Sequence, residues 1–135
     1  MKSLILIISL TLSIYANSDE VNSYIETLKS EVQKTDPAFK GFDAKRGEII
    51  FTSKHIGKKG KEISCESCHS NNLRKKGENF FTGKTIEPLS PNTNKERLSS
   101  VKSIKKWLRR NFKDVYNREG TEKEKGDVLT YISTK

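Results

Sequence analysis

The chain has 135 residues, of which 33% are hydrophobic and 32% are charged, and its formal net charge is +9. This length fits one small domain, and the hydrophobic fraction is low for a domain that must build its core from side chains alone. The basic excess fits either a solvated, lysine-rich surface or attraction to an acidic redox partner or an anionic membrane.

Residues 1–16 have the pattern of a secretory signal peptide. An uncharged apolar run follows Lys2, and Ala16 offers a small residue for cleavage. The run is short for a membrane span, and an uncleaved N-terminal anchor is the alternative. We therefore predict a mature domain of residues 17–135 that is exported to the periplasm, where nucleic acid is not an expected partner.

Two helices are predicted before the first cysteine. Apolar residues at helical spacing indicate an amphipathic helix over residues 17–35, which Pro37 would end. A second helix is expected from its N-cap Asp43 to about Ser53. This helix contains Gly47, which lowers helix propensity. Either another helix approaches closely at this glycine, or the glycine is simply tolerated at the surface.

The pentapeptide CESCH follows a loop rich in lysine and glycine. Cys65 and Cys68 are three positions apart, and His69 comes directly after them. This is the spacing of a c-type haem attachment site, in which two thiols add to the haem vinyl groups and the histidine ligates the iron. One covalently bound haem c is thus the predicted cofactor. Its apolar body would supply much of the missing core.

A CxxC pair can also be a redox-active dithiol, a structural disulfide or half of a zinc site. A zinc site would need His55 as a fourth ligand, because the chain has no other Cys or His outside the motif. A thioredoxin-like pair is expected within a βαβ pattern, which the sequence does not show. His55 could instead be a second axial ligand of a haem, although a loop histidine beside lysine is usually just solvated.

The segment between the motif and the next helix is polar and rich in turns. Phe80 and Phe81 are expected to line the haem or to fill the core. Pro88 and Pro91 favour an extended loop rather than a helix or a central strand.

The segment VKSIKKWLRRNF predicts a strong amphipathic helix, capped by Ser99 or Ser100. Asn111 lies on the same face as Ile104 and Leu108, because these positions recur at intervals of three or four. An amide buried without a partner costs about 1–3 kcal/mol, so Asn111 should be hydrogen-bonded or ligated. The alternative is that Asn111 ends its helix as a C-cap.

A last helix to about Ser133 is indicated by a capping box formed by Thr121 and Glu124. The chain therefore predicts an all-α fold of four or five helices around one covalently bound haem c.

The order of helix, CxxCH, proline-bearing loop, helix and terminal helix resembles the class I cytochrome c fold. In that fold the helix before the motif crosses the C-terminal helix through a glycine and aromatic residues, and Gly47, Phe51 and Tyr131 stand at the matching positions. Most members take a methionine as the sixth iron ligand. The only methionine here is Met1, which leaves with the signal peptide, so an ordinary His/Met electron carrier is excluded.

The runs TGKTIEPLSP, KKWLRRN and GTEKEKGDVLTYI resemble the SHP cytochromes, which are small monohaem class I cytochromes c. The resemblance implies that His69 and Asn111 ligate the ferric iron, and that Asn111 leaves on reduction so that O2, NO or CO can bind. It also implies a dihaem cytochrome c and a membrane cytochrome b as electron-transfer partners, with ligand binding favoured over enzymatic turnover. Family members can carry a disulfide where Phe112 and Gly120 stand here, so packing must supply that rigidity.

Three other classes of function stay open. A six-coordinate electron carrier would use His55 or a lysine as its second axial ligand. A haem reductase or oxygenase would turn over a substrate, although no general acid or base beyond the two histidines stands out. A non-haem dithiol protein would be colourless.

Overall fold

The computed structural model describes the chain from Tyr15 to Lys135, with side chains from Asp19 onward. Nearly all of the predicted signal peptide, residues 1–16, lies outside the described residues. Within the described part of the chain, none of the helices has the length and apolar character needed to cross a membrane.

Helices form the framework, as the sequence predicted. The α-helices of the described chain are α1 Tyr15–Thr35, α2 Ala44–Thr52, α3 Glu66–His69, α4 Val101–Tyr116 and α5 Glu122–Ser133. Asp43 and Ser100 are N-caps, and each side chain accepts a hydrogen bond from the backbone N–H three residues later. The capping box of Thr121 and Glu124 at the start of α5 is also present.

Two segments that were predicted as loops each contain a short antiparallel hairpin. The strands are β1 His55–Ile56, β2 Glu62–Ile63, β3 Gly77–Glu78 and β4 Thr85–Ile86, with β1 paired to β2 and β3 paired to β4. Lys59 and Gly60 in the first turn and Gly83 in the second adopt positive φ angles, which reverse the chain. Strands of two residues are too short to show an alternating pattern in the sequence.

The core gathers buried side chains from α1, α2, α4 and α5. Its members are Val21, Tyr24, Leu28, Phe51, Leu73, Ile104, Leu108, Phe112, Val128, Leu129, Tyr131 and Ile132, and Cys65 packs against them. The haem motif therefore borders the core directly.

Helices α2 and α5 cross in close contact in the core. A Cβ atom on Gly47 would overlap the backbone carbonyl of Asp127 and would lie 2.8 Å from the Cβ of Tyr131. The rings of Phe51 and Tyr131 pack beside this point, with centroids 5.4 Å apart. Gly47 is thus required for close helix approach, and the alternative of a tolerated surface glycine is wrong.

An ion pair between α2 and α5 stabilises the same crossing. Asp127 is only 2% exposed. Its carboxylate accepts two hydrogen bonds from the Arg46 guanidinium, both at 2.8 Å, and one from the backbone N–H of Asp43 at 2.8 Å. The buried charge is therefore fully paired, which offsets its loss of hydration.

Replacing Arg46 by methionine should lower the free energy of unfolding, because it leaves the Asp127 carboxylate buried without its cation. We expect a loss of about 2–3 kcal/mol, less than the value of about 3–5 for fully buried pairs, since the Arg46 side chain is 44% exposed. Denaturant unfolding of the haem-loaded protein measures it.

Lys45→Met is the matched control, because it removes a more exposed cation from the same helix turn. The control should leave the unfolding free energy nearly unchanged, because an exposed ion pair contributes little. Equal effects of the two substitutions would show that the Asp127 pair contributes nothing special.

Candidate haem site

The CxxCH motif folds as a single helical turn. The backbone N–H groups of Cys68 and His69 both donate to the carbonyl of Cys65, at 3.2 and 3.1 Å. The turn is started by two serines, since the Ser64 N–H donates to the Ser67 hydroxyl at 3.0 Å. One turn of α3 therefore carries both thiols and the imidazole, with no long loop between them.

The imidazole of His69 has the properties of a metal ligand. Burial, and secondarily the charge of Arg97, lower the pKa of His69 to about 4, so the ring is neutral near pH 7. Its Nδ1 is buried and has no hydrogen-bond partner among the described residues. An orphaned nitrogen of this kind is costly and calls for a group that the protein chain itself does not supply.

The two cysteines are free thiols and do not resemble a reactive dithiol. Burial, together with the neighbouring Cys68, raises the pKa of the Cys65 thiol to about 12, whereas redox-active cysteines have lowered pKa values. The Sγ of Cys68 accepts a hydrogen bond from the backbone N–H of Phe80 at 3.3 Å. Two thiols and a neutral imidazole on one turn fit the attachment of a haem.

The hairpin of β3 and β4 packs directly on the motif. A Cβ on Gly77 would overlap the carbonyl oxygen of Cys68 and would lie 3.0 Å from the Cα of His69. The expectation that Phe80 and Phe81 fill the core is wrong. Phe80 is 51% exposed, and Lys58 and Lys59 lie over the ring of Phe81. Phe80 therefore lies at the surface, and Phe81 is half-buried.

The proline-bearing loop is held by two side chains that sequence reasoning did not identify. Arg97 Nε and Asn94 Nδ2 both donate to the carbonyl of Pro88, at 3.0 and 3.3 Å. A second nitrogen of Arg97 donates to the carbonyl of Glu87 at 2.9 Å. In a sequence with 26 lysines and arginines, nothing distinguished this arginine from the others.

Asn111 lies inside α4 and does not end it. The helix continues for five residues to Tyr116, and Asn117, with a left-handed φ of 55°, is the C-cap. The alternative that Asn111 is a C-cap is therefore wrong, because Val115 extends the buried face by one more turn. Asn111 is half-buried, between the buried Leu108 and Phe112 in sequence.

The C-terminal end of α4 is tied to the elements before the motif. The Tyr116 hydroxyl donates to the carbonyl of Ile50 at 2.6 Å, and the Asn117 amide donates to the carbonyl of Ile56 at 2.8 Å. Burial raises the pKa of Tyr116 to about 12, so this hydroxyl keeps its proton at physiological pH. The helix that carries Asn111 is thus fixed at its far end.

His55 lies on a different side of α4 from Asn111. Its ring stacks on Tyr116, with centroids 4.2 Å apart, and its backbone pairs with Ile63. Tyr116 follows Asn111 by five residues, which places the two side chains about 140° apart around the helix. His55 and Asn111 therefore do not converge on one point.

The turn between α4 and α5 is held by packing of Phe112 against Gly120. The ring of Phe112 covers Gly120 so closely that a Cβ there would lie 2.7 Å from two ring carbons. A bidentate pair of Arg118 and Glu124, at 2.7 and 2.6 Å, closes the same turn. The Phe112–Gly120 packing and the Arg118–Glu124 pair thus take the place of the disulfide that the sequence lacks at these positions.

Known proteins resemble the chain over most of its length. The model of a family described as a domain of unknown function (DUF1924) matches residues 37–132. Cytochrome c'' of Methylophilus methylotrophus is 27% identical over 135 residues, which cover 98% of this chain and 94% of the relative. The cytochrome c-type protein SHP of Cereibacter sphaeroides is 36% identical over 91 residues, which cover 67% of this chain and 70% of the relative.

Solved structures agree with these sequence similarities. The crystal structure of oxidized cytochrome c'' from Methylophilus methylotrophus superposes with a TM-score of 0.76 at 26% identity, covering 87% of this chain and 95% of that one. The structure of oxidized SHP, described as an oxygen-binding cytochrome c, gives a TM-score of 0.74 at 29% identity, covering 85% and 96%.

The helical fold and these similarities define a class I cytochrome c with one haem. The chain belongs to the SHP-type cytochrome c family, and its cofactor is one covalently bound haem c. The predicted family, fold class and cofactor are thereby confirmed.

Gly120→Ala should destabilise the haem-loaded protein, because the added methyl group meets the Phe112 ring. We expect a loss of about 1–3 kcal/mol in the free energy of unfolding, the usual cost of overpacking. Gly41→Ala is the control, since nothing lies within 4 Å of a Cβ at that position.

Combining Gly120→Ala with Phe112→Leu should cost less than the sum of the two single changes, because the smaller side chain makes room for the methyl group. Additive losses would mean that the ring and the glycine do not interact as the structure describes.

Proposed function

We propose that this protein is a periplasmic cytochrome that binds a small diatomic molecule, such as O2, NO or CO, at its haem and accepts electrons from a partner cytochrome. Cys65 and Cys68 attach the haem through thioethers, and His69 is the proximal iron ligand. Support comes from two free thiols and a neutral imidazole on one helical turn, and from the orphaned Nδ1 of His69.

The observation that carries ligand binding is the position of Asn111. It is a half-buried amide in the interior of α4, on a helix whose neighbouring inward residues, Leu108 and Phe112, are buried and apolar. The chain also lacks a methionine other than Met1 that could take the sixth position. Asn111 is therefore the best candidate for the distal ligand.

When bound, the haem supplies an iron that changes between the ferric and ferrous states. The Asn111 amide oxygen is a weak, neutral and hard donor, which suits ferric iron better than ferrous iron. With haem bound, Asn111 would ligate the iron in the oxidised protein and would be released on reduction, which would leave a place for a diatomic molecule. In keeping with this, one relative is described as oxygen-binding, and a solution structure of the other concerns haem-ligand detachment.

The surroundings of Asn111 favour movement of its side chain over movement of the helix. Phe112 is packed on Gly120, and Tyr116 is hydrogen-bonded to Ile50, so the helix backbone is held on the C-terminal side of Asn111. Release then needs only a change of side-chain rotamer. A ligand that swings out without unfolding its helix can return when the iron is oxidised again.

His55 supports the alternative of a six-coordinate electron carrier less well. Its ring is stacked on Tyr116, on a different side of α4 from Asn111. For a reductase or oxygenase, the described site offers no additional histidine as a proton donor, so we propose ligand binding and electron transfer rather than enzymatic turnover.

The surface of α4 suits an acidic partner. Its exposed cations are Lys102, Lys105, Lys106, Arg109, Arg110 and Lys113. Such a row attracts negatively charged partners and speeds their encounter in a salt-dependent way. The partner cytochromes suggested by family resemblance, a dihaem cytochrome c and a membrane cytochrome b, would then present acidic surfaces to α4.

Asn111→Ala should change the ferric absorption spectrum and leave the ferrous spectrum nearly unchanged, because the ligand is bound only in the oxidised state. The ferric variant should lose its low-spin bands as water or no ligand takes the sixth position. Visible and electron paramagnetic resonance spectra of both redox states measure this.

His55→Ala is the control and should alter neither redox state. A silent Asn111→Ala, together with loss of a low-spin ferrous spectrum in His55→Ala, would make the protein a bis-histidine electron carrier and contradict the proposal.

The mature protein should begin near Asn17 and carry one haem through two thioether bonds. Intact-mass measurement of the periplasmic protein should give the mass of residues 17–135 plus one haem, and acidified acetone should fail to extract that haem. A product that keeps residues 1–16 would contradict the predicted cleavage. Haem that stays attached after joint replacement of Cys65 and Cys68 by alanine would contradict their assignment.

A further inference from the structure

The neighbours of Asn111 on α4 show from which side a small molecule can reach it. Side chains three and four positions apart are adjacent on a helix surface, with Cβ atoms about 5–6 Å apart. Two of these four neighbours, Leu108 and Val115, are buried. The other two lie on the solvent side, where Asp114 is half-buried and Trp107 is exposed. An approach from solvent along α4 therefore passes one of these two residues.

The approach past Asp114 is closed by the turn between β1 and β2. A Cβ on Gly57 would overlap the carbonyl oxygen of Asp114 and would lie 2.8 Å from that of Val115, so this turn packs on the α4 backbone. Lys58, the next residue of the turn, pairs with the carboxylate of Asp114 at 3.1 Å. The C-terminal side of Asn111 is thus covered by another segment of the chain.

Trp107 borders the remaining approach, one helical turn before Asn111. It is 44% exposed, and Lys106 Nζ and Arg110 Cζ lie 5.2 and 5.0 Å from the centroid of its ring. Cations at this distance are attracted to the face of an indole and restrain its position. Side chains on a helix lean toward its N-terminus, so Asn111 leans toward the turn that carries Trp107. A large, restrained ring therefore lies beside the amide.

We propose that Trp107 is the gate past which a diatomic ligand reaches and leaves the distal side of the haem. The ring closes the N-terminal approach to Asn111, as the β1–β2 turn closes the C-terminal one. A ligand passes when the ring turns aside from its two cations, so Trp107 sets the rates of entry and exit. This inference rests on the proposed function, because it takes Asn111 as the residue that faces the ligand.

Trp107→Ala should raise the rate constants for carbon monoxide association with, and dissociation from, the ferrous haem-loaded protein by the same factor. We expect an increase of about tenfold, which corresponds to a barrier lowered by about 1.4 kcal/mol. The dissociation constant should stay nearly the same, because a gate changes the barrier and not the bound state. Flash photolysis gives the association rate, and replacement of carbon monoxide by nitric oxide gives the dissociation rate.

Two further variants test whether the effect belongs to the Trp107 ring. Trp107→Phe keeps an aromatic ring at this position and should give a smaller increase than alanine. Ile49→Ala is the control, because it removes a large hydrophobic side chain of α2 that is 55% exposed. The control should leave both rates unchanged. Unchanged rates in Trp107→Ala, a change in its dissociation rate alone, or an equal effect in Ile49→Ala would overturn the gate.

The wild type provides a second test, which needs no variant to accumulate with haem. Trp107 is the only tryptophan of the chain, so its vibrational bands can be assigned directly. Ultraviolet resonance Raman spectra should show a shift of the indole bands when carbon monoxide binds to the ferrous protein. Identical indole bands with and without carbon monoxide would overturn the gate.

Failure of the gate and failure of the proposed function give different results. A ferrous wild type that does not bind carbon monoxide would contradict the proposed function, and the gate with it. Normal carbon monoxide binding, with unchanged rates in Trp107→Ala and unchanged indole bands, would contradict the gate alone.

Discussion

The crossing of α2 over α5 is the contact on which the rest of the structure depends. Gly47 lets the two backbones touch, and this closeness brings Phe51 between two rings. Its centroid lies 5.4 Å from that of Tyr131 and 6.1 Å from that of His69. One glycine thereby connects the helix crossing to the imidazole of His69, and the ion pair of Arg46 with the buried Asp127 stabilises the crossing.

The two sides of the haem site are built differently. The His69 side consists of three short segments: a single helical turn, a hairpin that packs on this turn at Gly77, and a loop held by Arg97. These segments are held in place partly by side chains that donate hydrogen bonds to backbone carbonyls. The α4 side is a long helix fixed by aromatic packing at Phe112 and by a tyrosine hydrogen bond. On our proposal this difference has a purpose, since the proximal ligand must stay bound while Asn111 exchanges on a rigid support.

Local chemistry with a strict requirement could be predicted from the sequence. N-caps, a capping box, the CxxCH spacing and the glycine at the helix crossing each depend on a few neighbouring residues, and the structure has those caps, the motif turn and the crossing as expected. Contacts between distant segments gave no such signal. The hairpins are too short for periodicity, the last turn of α4 is hidden by its polar residues, and Arg97 differs from its many basic neighbours only in what it touches.

We propose that Asn111 leaves the iron on reduction, and the visible spectrum of the ferrous protein, recorded with and without carbon monoxide, shows whether it does. We expect a high-spin ferrous spectrum that converts to a low-spin one when carbon monoxide is added. A low-spin ferrous spectrum that carbon monoxide leaves unchanged would contradict it.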